Sequence, residues 1–186
     1  MNNALPAERA HPSSLQELLP SSILKKLNEE KIIFVQEHYG ALMNFVTQDN
    51  ITMHVLGQVL HSQDGERKIQ YLLQEHGIKL MKSRGFIPSQ MMQILKGEGW
   101  EEKIAYIQQE DFKKIYNSGL EICHIAGLFT CGDWKEKMGF VMTYRKFLAY
   151  ERYKNYKKPV DMYKVLLKAD WNTTSLVKTI RQKGGK

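Results

Sequence analysis

The chain has few of the features that mark secreted, membrane-spanning or disulfide-bonded proteins. Its 186 residues include only two cysteines, Cys123 and Cys131, too few for a disulfide scaffold, so a reducing compartment is expected. No apolar run reaches the roughly 18 residues of a membrane span, and the N-terminus lacks the charged-then-apolar pattern of a signal peptide. We therefore expect a cytoplasmic or nuclear protein without a transmembrane segment. If it is a secreted effector, it would act inside a host cell.

Patterns of catalytic and metal-binding residues are also missing. No Ser/His/Asp or Cys/His set can be read from spacing, and residues 97–99 lack the Gly-Lys-Ser/Thr ending of a phosphate loop. Cys123 and His124, taken together with Cys131, do not have the short paired spacing of zinc sites, so a core cysteine and a packed histidine are favoured. We expect no enzyme activity, no cofactor and no metal site.

No segment shows the alternation of apolar and polar residues that is typical of a β-strand. The sequence contains an internal repeat instead. Trp100 and Trp134 are 34 residues apart in nearly matching contexts, and residues 86–119 align with residues 120–153 without a gap. Repeats of this length cannot bury their apolar faces alone and stack on their neighbours. The sequence therefore predicts an all-α fold, a right-handed solenoid of helix-loop-helix units of about 34 residues.

The repeat also predicts the domain organisation. A flexible lead-in is expected over residues 1–17, and a single α-helical repeat domain over residues 18–183. That domain contains a degenerate cap at 18–50, repeats at 51–85, 86–119 and 120–153, and a partial basic repeat at 154–183. Terminal repeats are usually atypical because they cap the stack. The chain is expected to be a monomer.

Helix boundaries can be predicted within the repeats. Pro88 suits the first turn of a helix, and a second helix is expected to start near Trp100 or Trp134 and to run on through residues 112–115 or 144–148. Gly85 and Gly119 close their units, because glycine tolerates the left-handed C-terminal conformation. Asp133 is a good N-cap, and Glu136 three residues later completes a capping box. Tryptophans and methionines at helical spacing are expected to be core residues.

The charge of the chain is strongly asymmetric. The net charge is +7, but residues 145–186 hold twelve Lys/Arg and three acids, a net of +9, so residues 1–144 carry −2. In residues 144–158, aromatic side chains alternate with cations, a composition that can grip phosphates and stack on bases. The alternative is that the aromatics pack the last repeat while the lysines solvate it. The predicted basic patch comprises Arg145, Lys146, Arg152, Lys154, Lys157, Lys158, Lys164 and Lys168.

The 34-residue unit resembles a repeat of the TAL effectors (transcription activator-like DNA-binding proteins) and their bacterial relatives. Residues 86–119 match the repeat length, and the family's Pro, Gln, Ile, Gly and Gly positions are occupied by Pro88, Gln90, Ile94, Gly99 and Gly119. The resemblance covers residues 51–153, and more loosely 18–183. It implies two helices around a short loop, with the stacked loops entering the major groove of duplex DNA.

The resemblance also implies that the second residue of each loop-tip pair faces a base. By position the tip pairs are Ser62-Gln63, Gly97-Glu98, Cys131-Gly132 and, more faintly, Lys168-Ala169. Gln63 would pair with an adenine edge, and Glu98 would accept from cytosine. After the tip pair this chain has Gly99 once but aspartate in the other units.

A protein-interaction solenoid is the alternative, such as a secreted bacterial effector or adaptor. Thr52-Met53-His54 is similar to the Thr-Pro-Leu-His turn of ankyrin repeats, and residues 71–77 are similar to the end of their second helix. From the unit length and the basic C-terminal end we expect a non-enzymatic repeat protein that binds nucleic acid, most of all duplex DNA, through the interhelix loops and that end.

Overall fold

The computed structural model describes residues 12–47, 51–156, 158–168 and 173–184. Every regular element in these ranges is helical, which confirms the prediction of an all-α protein. The helices are α1 Pro12–Leu18, α2 Ser21–Leu24, α3 Glu29–Glu37, α4 Tyr39–Thr47, α5 Met53–His61, α6 Gly65–Leu73, α7 Glu75–Ser83, α8 Pro88–Lys96, α9 Trp100–Gln108, the 3-10 helix η1 Glu110–Ser118, α10 Ile122–Phe129, α11 Trp134–Thr143, α12 Arg145–Lys154, α13 Pro159–Lys168 and α14 Thr173–Gly184.

Several predicted helix boundaries are confirmed. α8 begins with Pro88 at its first position, and α9 and α11 begin at Trp100 and Trp134. Gly85 and Gly119 both have a φ of 76°, the left-handed conformation that glycine adopts without steric cost. The tryptophans and the glycines therefore mark the true ends of the helices.

Each of the ranges 51–85, 86–119 and 120–153 contains three helices, whereas two were predicted. The expected long second helix is interrupted at Gln109, where ψ is 138°, and at Tyr144, where ψ is 19°. The cause is visible in the first case. Phe112 follows Ile107 by five residues, out of step with the 3.6-residue period of a helix. The break at Gln109 allows Phe112 and Ile107 to be fully buried together, both at 0% exposure.

The predicted lead-in is too long at its C-terminal end. α1 begins at Pro12, and Leu15, Leu18 and Leu19 are buried against the following helices. Residues 1–11 lie outside the described ranges. The amphipathic spacing of the three leucines gives this short helix one apolar side to bury.

The chain forms two compact units, and the boundary between them falls within the predicted repeat at 86–119. The first unit comprises Met1–Lys82 with Ile87–Glu98. Within it, α5 packs against α2, α6 and α8, while α4 packs against α1 and α3. Gly57 allows the close approach of α2, since a Cβ there would overlap the Ile23 side chain. Leu56 and Leu60 of α5 are fully buried at the centre of this unit.

The second unit comprises Ser83–Phe86 with Gly99–Lys186. Here η1 packs against α9, α11 and α12, and α13 packs against α10 and α14. Phe112, Phe129 and Trp134 form an aromatic cluster around Tyr106, with ring centroids 5.4 to 6.3 Å apart. This cluster explains why tryptophan stands at the start of α11: its ring lies in the core, at 6% exposure.

Candidate functional site

The first two interhelix loops have the same backbone conformation. Ser62 and Gly97 follow their helices at φ/ψ of −68°/165° and −72°/164°. Two residues later, Asp64 and Gly99 are both left-handed, at 55°/30° and 62°/31°. Glycine adopts this region freely, and aspartate is one of the few other residues enriched there. The alignment of these two loops is therefore present in the backbone as well as in the sequence.

In the first and third tip pairs the first residue hydrogen-bonds to the preceding helix, and in the first three pairs the second residue is exposed. Ser62, Gly97 and Cys131 are half-buried, whereas Gln63, Glu98 and Gly132 are exposed. The Ser62 hydroxyl donates to the Val59 carbonyl at 2.6 Å, and the Cys131 thiol donates to the Gly127 carbonyl at 3.7 Å. In the fourth pair Lys168 is exposed, and Ala169 lies outside the described residues.

Asp133 does not cap α11, contrary to the prediction. Its side chain makes no capping hydrogen bond, because its backbone, at φ/ψ of −94°/30°, is not in the extended conformation of an N-cap. Both carboxylate oxygens instead accept from Nζ of Lys137, at 2.5 and 2.7 Å. The capping box with Glu136, which is exposed, is therefore replaced by an ion pair.

A buried lysine stands at the fourth residue of each second helix. Lys68, Lys103 and Lys137 are only 2%, 2% and 3% exposed, although lysine is almost never buried without a partner. Nζ of Lys68 donates to the Ser62 hydroxyl at 3.0 Å, just as Lys137 binds the loop in front of it. Sequence reasoning missed the burial of these three lysines. Its signal was the recurrence of lysine at spacings of 35 and 34 residues.

A further lysine from the preceding segment reaches the first loop. Nζ of Lys31 in α3 donates to the carbonyls of Leu60 and Ser62, at 2.7 and 3.2 Å. Burial lowers the pKa of Lys68, and the positive charge of Lys31 acts in the same direction, against the opposing charge of Asp64. This loop therefore has two ammonium groups behind its tip.

The third interhelix loop also has lysine side chains near its tip. Burial raises the pKa of the Cys131 thiol, and the charge of Asp133 adds to that effect, while Lys137 and Lys103 oppose it. Both lysines thus lie within electrostatic range of the loop tip. The negative charge of the Asp133 carboxylate is therefore compensated by the buried lysines Lys137 and Lys103.

The predicted basic patch divides into arginines that serve the fold and lysines that face solvent. Arg145 donates to the Met142 carbonyl at 2.6 Å, and Arg152 donates to the Tyr156 carbonyl at 2.9 Å. The Met142 carbonyl lies in the last turn of α11, where carbonyls have no partner within the helix, so the bond from Arg145 stabilises that end. The bond from Arg152 holds the segment that follows α12. The exposed lysines are Lys146, Lys154, Lys158, Lys164 and Lys168. Lys157 lies outside the described residues.

The aromatic side chains of the same segment are not all core residues. Tyr156 is buried, and its hydroxyl donates to the Ile180 carbonyl at 2.8 Å. Tyr150 and Tyr153, by contrast, are 56% and 91% exposed. The sequence allowed these aromatic rings either to pack in the core or to face solvent. Tyr156 is packed, and Tyr150 and Tyr153 face solvent.

Two lysines and two tyrosines form one exposed face of α12. Lys146, Tyr150, Tyr153 and Lys154 lie at positions i, i+4, i+7 and i+8, within about 100° of the helix circumference. Nζ of Lys154 is 5.5 Å from the Tyr150 ring centroid and 3.2 Å from its hydroxyl. Glu151, the one acidic residue of α12, is buried. We call these four residues the α12 face.

Known proteins give no family for this chain. No family model, curated protein or solved structure matches it. None of the helices in the described ranges is long and apolar enough to cross a membrane. The functional interpretation of the α12 face therefore rests on its own geometry, two exposed aromatic rings between two lysines with the acidic residue turned inward.

Proposed function

We propose that this chain is a non-enzymatic helical-repeat protein that binds nucleic acid, with duplex DNA held by the α12 face and by the interhelix loops. The observation that carries the proposal is the exposure of Tyr150 and Tyr153 between Lys146 and Lys154. Exposed aromatic rings beside cations are the combination that grips a phosphate backbone and stacks on bases or sugars. The net charge of +9 over residues 145–186 supplies the long-range attraction.

The loops support the proposal through their exposed tips. Gln63 and Glu98 are free to approach base edges, where an amide suits adenine and a carboxylate suits cytosine. The carboxylate of Asp133 would repel phosphate if it stood alone. Its pairing with Lys137 at 2.5 and 2.7 Å reduces that repulsion.

The proposed architecture is a right-handed solenoid related to the TAL effector repeats, with three helices per unit. Support comes from first helices that begin at Met53, Pro88 and Ile122 and from the shared backbone of the first two loops. Small-angle scattering tests this architecture. A stacked array should exceed the radius of gyration of about 16 Å expected for a compact globule of this length. A value at that figure would rule out an extended stack.

Fluorescence anisotropy with a labelled DNA duplex, using the full chain over a range of salt concentrations, tests the binding proposal. We expect micromolar or tighter binding at low salt that weakens as salt rises. Reversal of both lysines (Lys146→Glu with Lys154→Glu) should lower the salt slope by about 2, because each phosphate contact contributes about 0.9 to it. Tyr153→Ala should cost about 1–3 kcal/mol with a labelled single strand, whose bases are free to stack on the ring, and less with the duplex.

The matched control is Lys113→Glu, which reverses an exposed lysine of η1 outside the α12 face. It changes the total charge but should leave most of the affinity and the tyrosine effect intact. Equal losses for Lys113→Glu and Lys146→Glu would mean that net charge alone drives binding. Absence of binding at micromolar protein and low salt would reject the nucleic-acid proposal in favour of a protein-interaction solenoid.

A further inference from the structure

Three metal-ligating side chains converge at the start of α10, away from the α12 face in sequence. Glu121 is the N-cap residue of α10, and Cys123 and His124 lie in its first turn. One ligand atom of each lies within 4.8 Å of the other two. Sγ of Cys123 is 3.6 Å from Oε2 of Glu121, and Nδ1 of His124 is 4.0 Å from the same oxygen.

His124 provides an observation that is independent of this clustering. The residue is only 7% exposed, and its Nδ1 is a buried atom without a hydrogen-bond partner among the described residues. Buried polar atoms are nearly always hydrogen-bonded, so such an atom needs an explanation. The ring of Tyr163 lies 4.7 Å from the imidazole, centroid to centroid, and restricts its orientation. Packing thus holds an unsatisfied nitrogen close to a carboxylate and a thiol.

We propose that Glu121, Cys123 and His124 form a binding site for a zinc-class divalent cation. A thiolate, an imidazole and a carboxylate are all zinc ligands, whereas the thiolate and imidazole disfavour magnesium and calcium. Three protein ligands leave a fourth tetrahedral position open for water or another donor. Binding would replace the thiol proton of Cys123, which passes to solvent, and would use the unpaired Nδ1 of His124.

The observed distances need only small adjustments to reach this geometry. Ligand atoms about zinc stand about 3.5 Å apart, as follows from metal–ligand distances of about 2.0–2.3 Å and a tetrahedral arrangement. The carboxylate of Glu121 is 60% exposed and Cys123 is exposed, so both side chains can rotate towards the fixed histidine.

The proposed site uses a third ligand that the sequence analysis did not consider. Cys123 and His124 were grouped there with Cys131, whose thiol donates to the Gly127 carbonyl just beyond the C-terminal end of α10. The structure replaces that distant cysteine with Glu121. A Glu-X-Cys-His run is easily overlooked because it does not have the paired spacing of common zinc motifs.

Cobalt titration of the full chain, reduced and freed of metal by a chelator, tests the site. We expect one equivalent of Co²⁺ to give a thiolate-to-cobalt charge-transfer band with visible bands of tetrahedral cobalt, both removed by added Zn²⁺. Cys123→Ser should abolish the charge-transfer band. Glu121→Gln should weaken binding at least about tenfold, the loss seen even for outer-shell partners of a metal.

The matched control is Cys131→Ser, which removes the other cysteine and should leave the band unchanged. Both decisive variants alter exposed side chains, so far-ultraviolet circular dichroism should show unchanged helix content. The proposal is overturned if no band forms at stoichiometric cobalt, if the band survives Cys123→Ser, or if Cys131→Ser removes it. Histidine substitution is less decisive, because the ring of His124 also packs on Tyr163.

Discussion

Nζ of Lys137 lies 2.5 and 2.7 Å from the two carboxylate oxygens of Asp133, and the lysine side chain is only 4% exposed. The ion pair connects the end of the third interhelix loop to the first turn of α11. Removing one partner of a buried pair leaves an uncompensated charge, which costs more than the pair itself contributes. The pair therefore fixes the loop more strongly than a surface salt bridge would.

Asp133→Asn should destabilise the protein by about 1–3 kcal/mol, because the buried ammonium of Lys137 would face a neutral amide. Lys137→Met should cost less, since Asp133 is 39% exposed and can be hydrated. In the double variant the two losses should not add. Urea denaturation of the four proteins measures this coupling. Additive losses, or an Asp133→Asn loss below about 0.5 kcal/mol, would contradict the importance of the pair.

The equivalent aspartate of the first loop should respond differently, because its backbone is in the left-handed conformation. Asp64 has a φ of 55°, whereas Asp133 has a φ of −94°. Asp64→Ala should destabilise by about 1 kcal/mol more than Asp64→Gly. Both remove the carboxylate whose charge favours the Lys68 ammonium, but only alanine resists the left-handed backbone. At Asp133 both alanine and glycine should destabilise, since either removes the partner of Lys137. Thermal unfolding compares the four variants, and equal effects of alanine and glycine at position 64 would refute a left-handed requirement.

Two glycines in neighbouring helices should react oppositely to alanine. A Cβ at Gly127 of α10 would collide with the hydroxyl of Tyr163, whereas a Cβ at Gly139 of α11 would meet nothing within 4 Å. Gly127→Ala should therefore destabilise by about 1–3 kcal/mol, as overpacking does. Gly139→Ala should stabilise by up to about 1 kcal/mol through helix propensity. Chemical denaturation distinguishes them, and a neutral Gly127→Ala would show that Tyr163 moves aside without cost.

Tyr156 should make the fold sensitive to alkaline pH. Burial, with smaller contributions from Glu151 and Asp161, raises the pKa of Tyr156 to about 12. Because the folded-state pKa lies above the unfolded value of about 10, the stabilisation is complete below pH 10 and declines as pH rises from there towards 12. By pH 11 the loss should reach about 1.4 kcal/mol.

Tyr156→Phe isolates this titration from that of other groups. The variant should be less stable at pH 9 by about 1 kcal/mol, because the hydrogen bond to the Ile180 carbonyl is lost. Its stability should then fall less than that of the wild type between pH 9 and pH 11. Urea unfolding at the two pH values gives both numbers. Parallel losses in the two proteins would mean that Tyr156 ionises normally in the fold.

Much of the helix pattern could be predicted from local signals. Trp100 and Trp134 begin helices and Gly119 ends one, because proline, glycine and apolar periodicity act over a few residues. The break at Gln109 was not predicted. It depends on the burial of Phe112 in the core, which local helix propensity does not determine. Asp133 was misread for the same reason, since its pairing depends on the buried position of Lys137.

The candidate surfaces could be predicted only in part. The basic segment was visible in the sequence, but the division into fold-bound Arg145 and Arg152 and exposed lysines was not. Alternation of aromatics and cations is compatible with either a packed or an exposed helix face. Which rings are buried depends on the neighbouring helices. Tyr156 is buried and hydrogen-bonded to Ile180 of α14, whereas Tyr153 is exposed to solvent.

The sequence by itself determined that the chain is all-α and that its positive charge is concentrated in the last quarter. These properties follow from spacing and composition, which need no knowledge of distant contacts. Only the tertiary structure decided the breaks at Gln109 and Tyr144, the buried lysines behind the loops and the exposure of Tyr150 and Tyr153. The physical reason is that burial depends on neighbours far away in the chain, and burial determines whether a charge or a ring supports the fold or faces a partner.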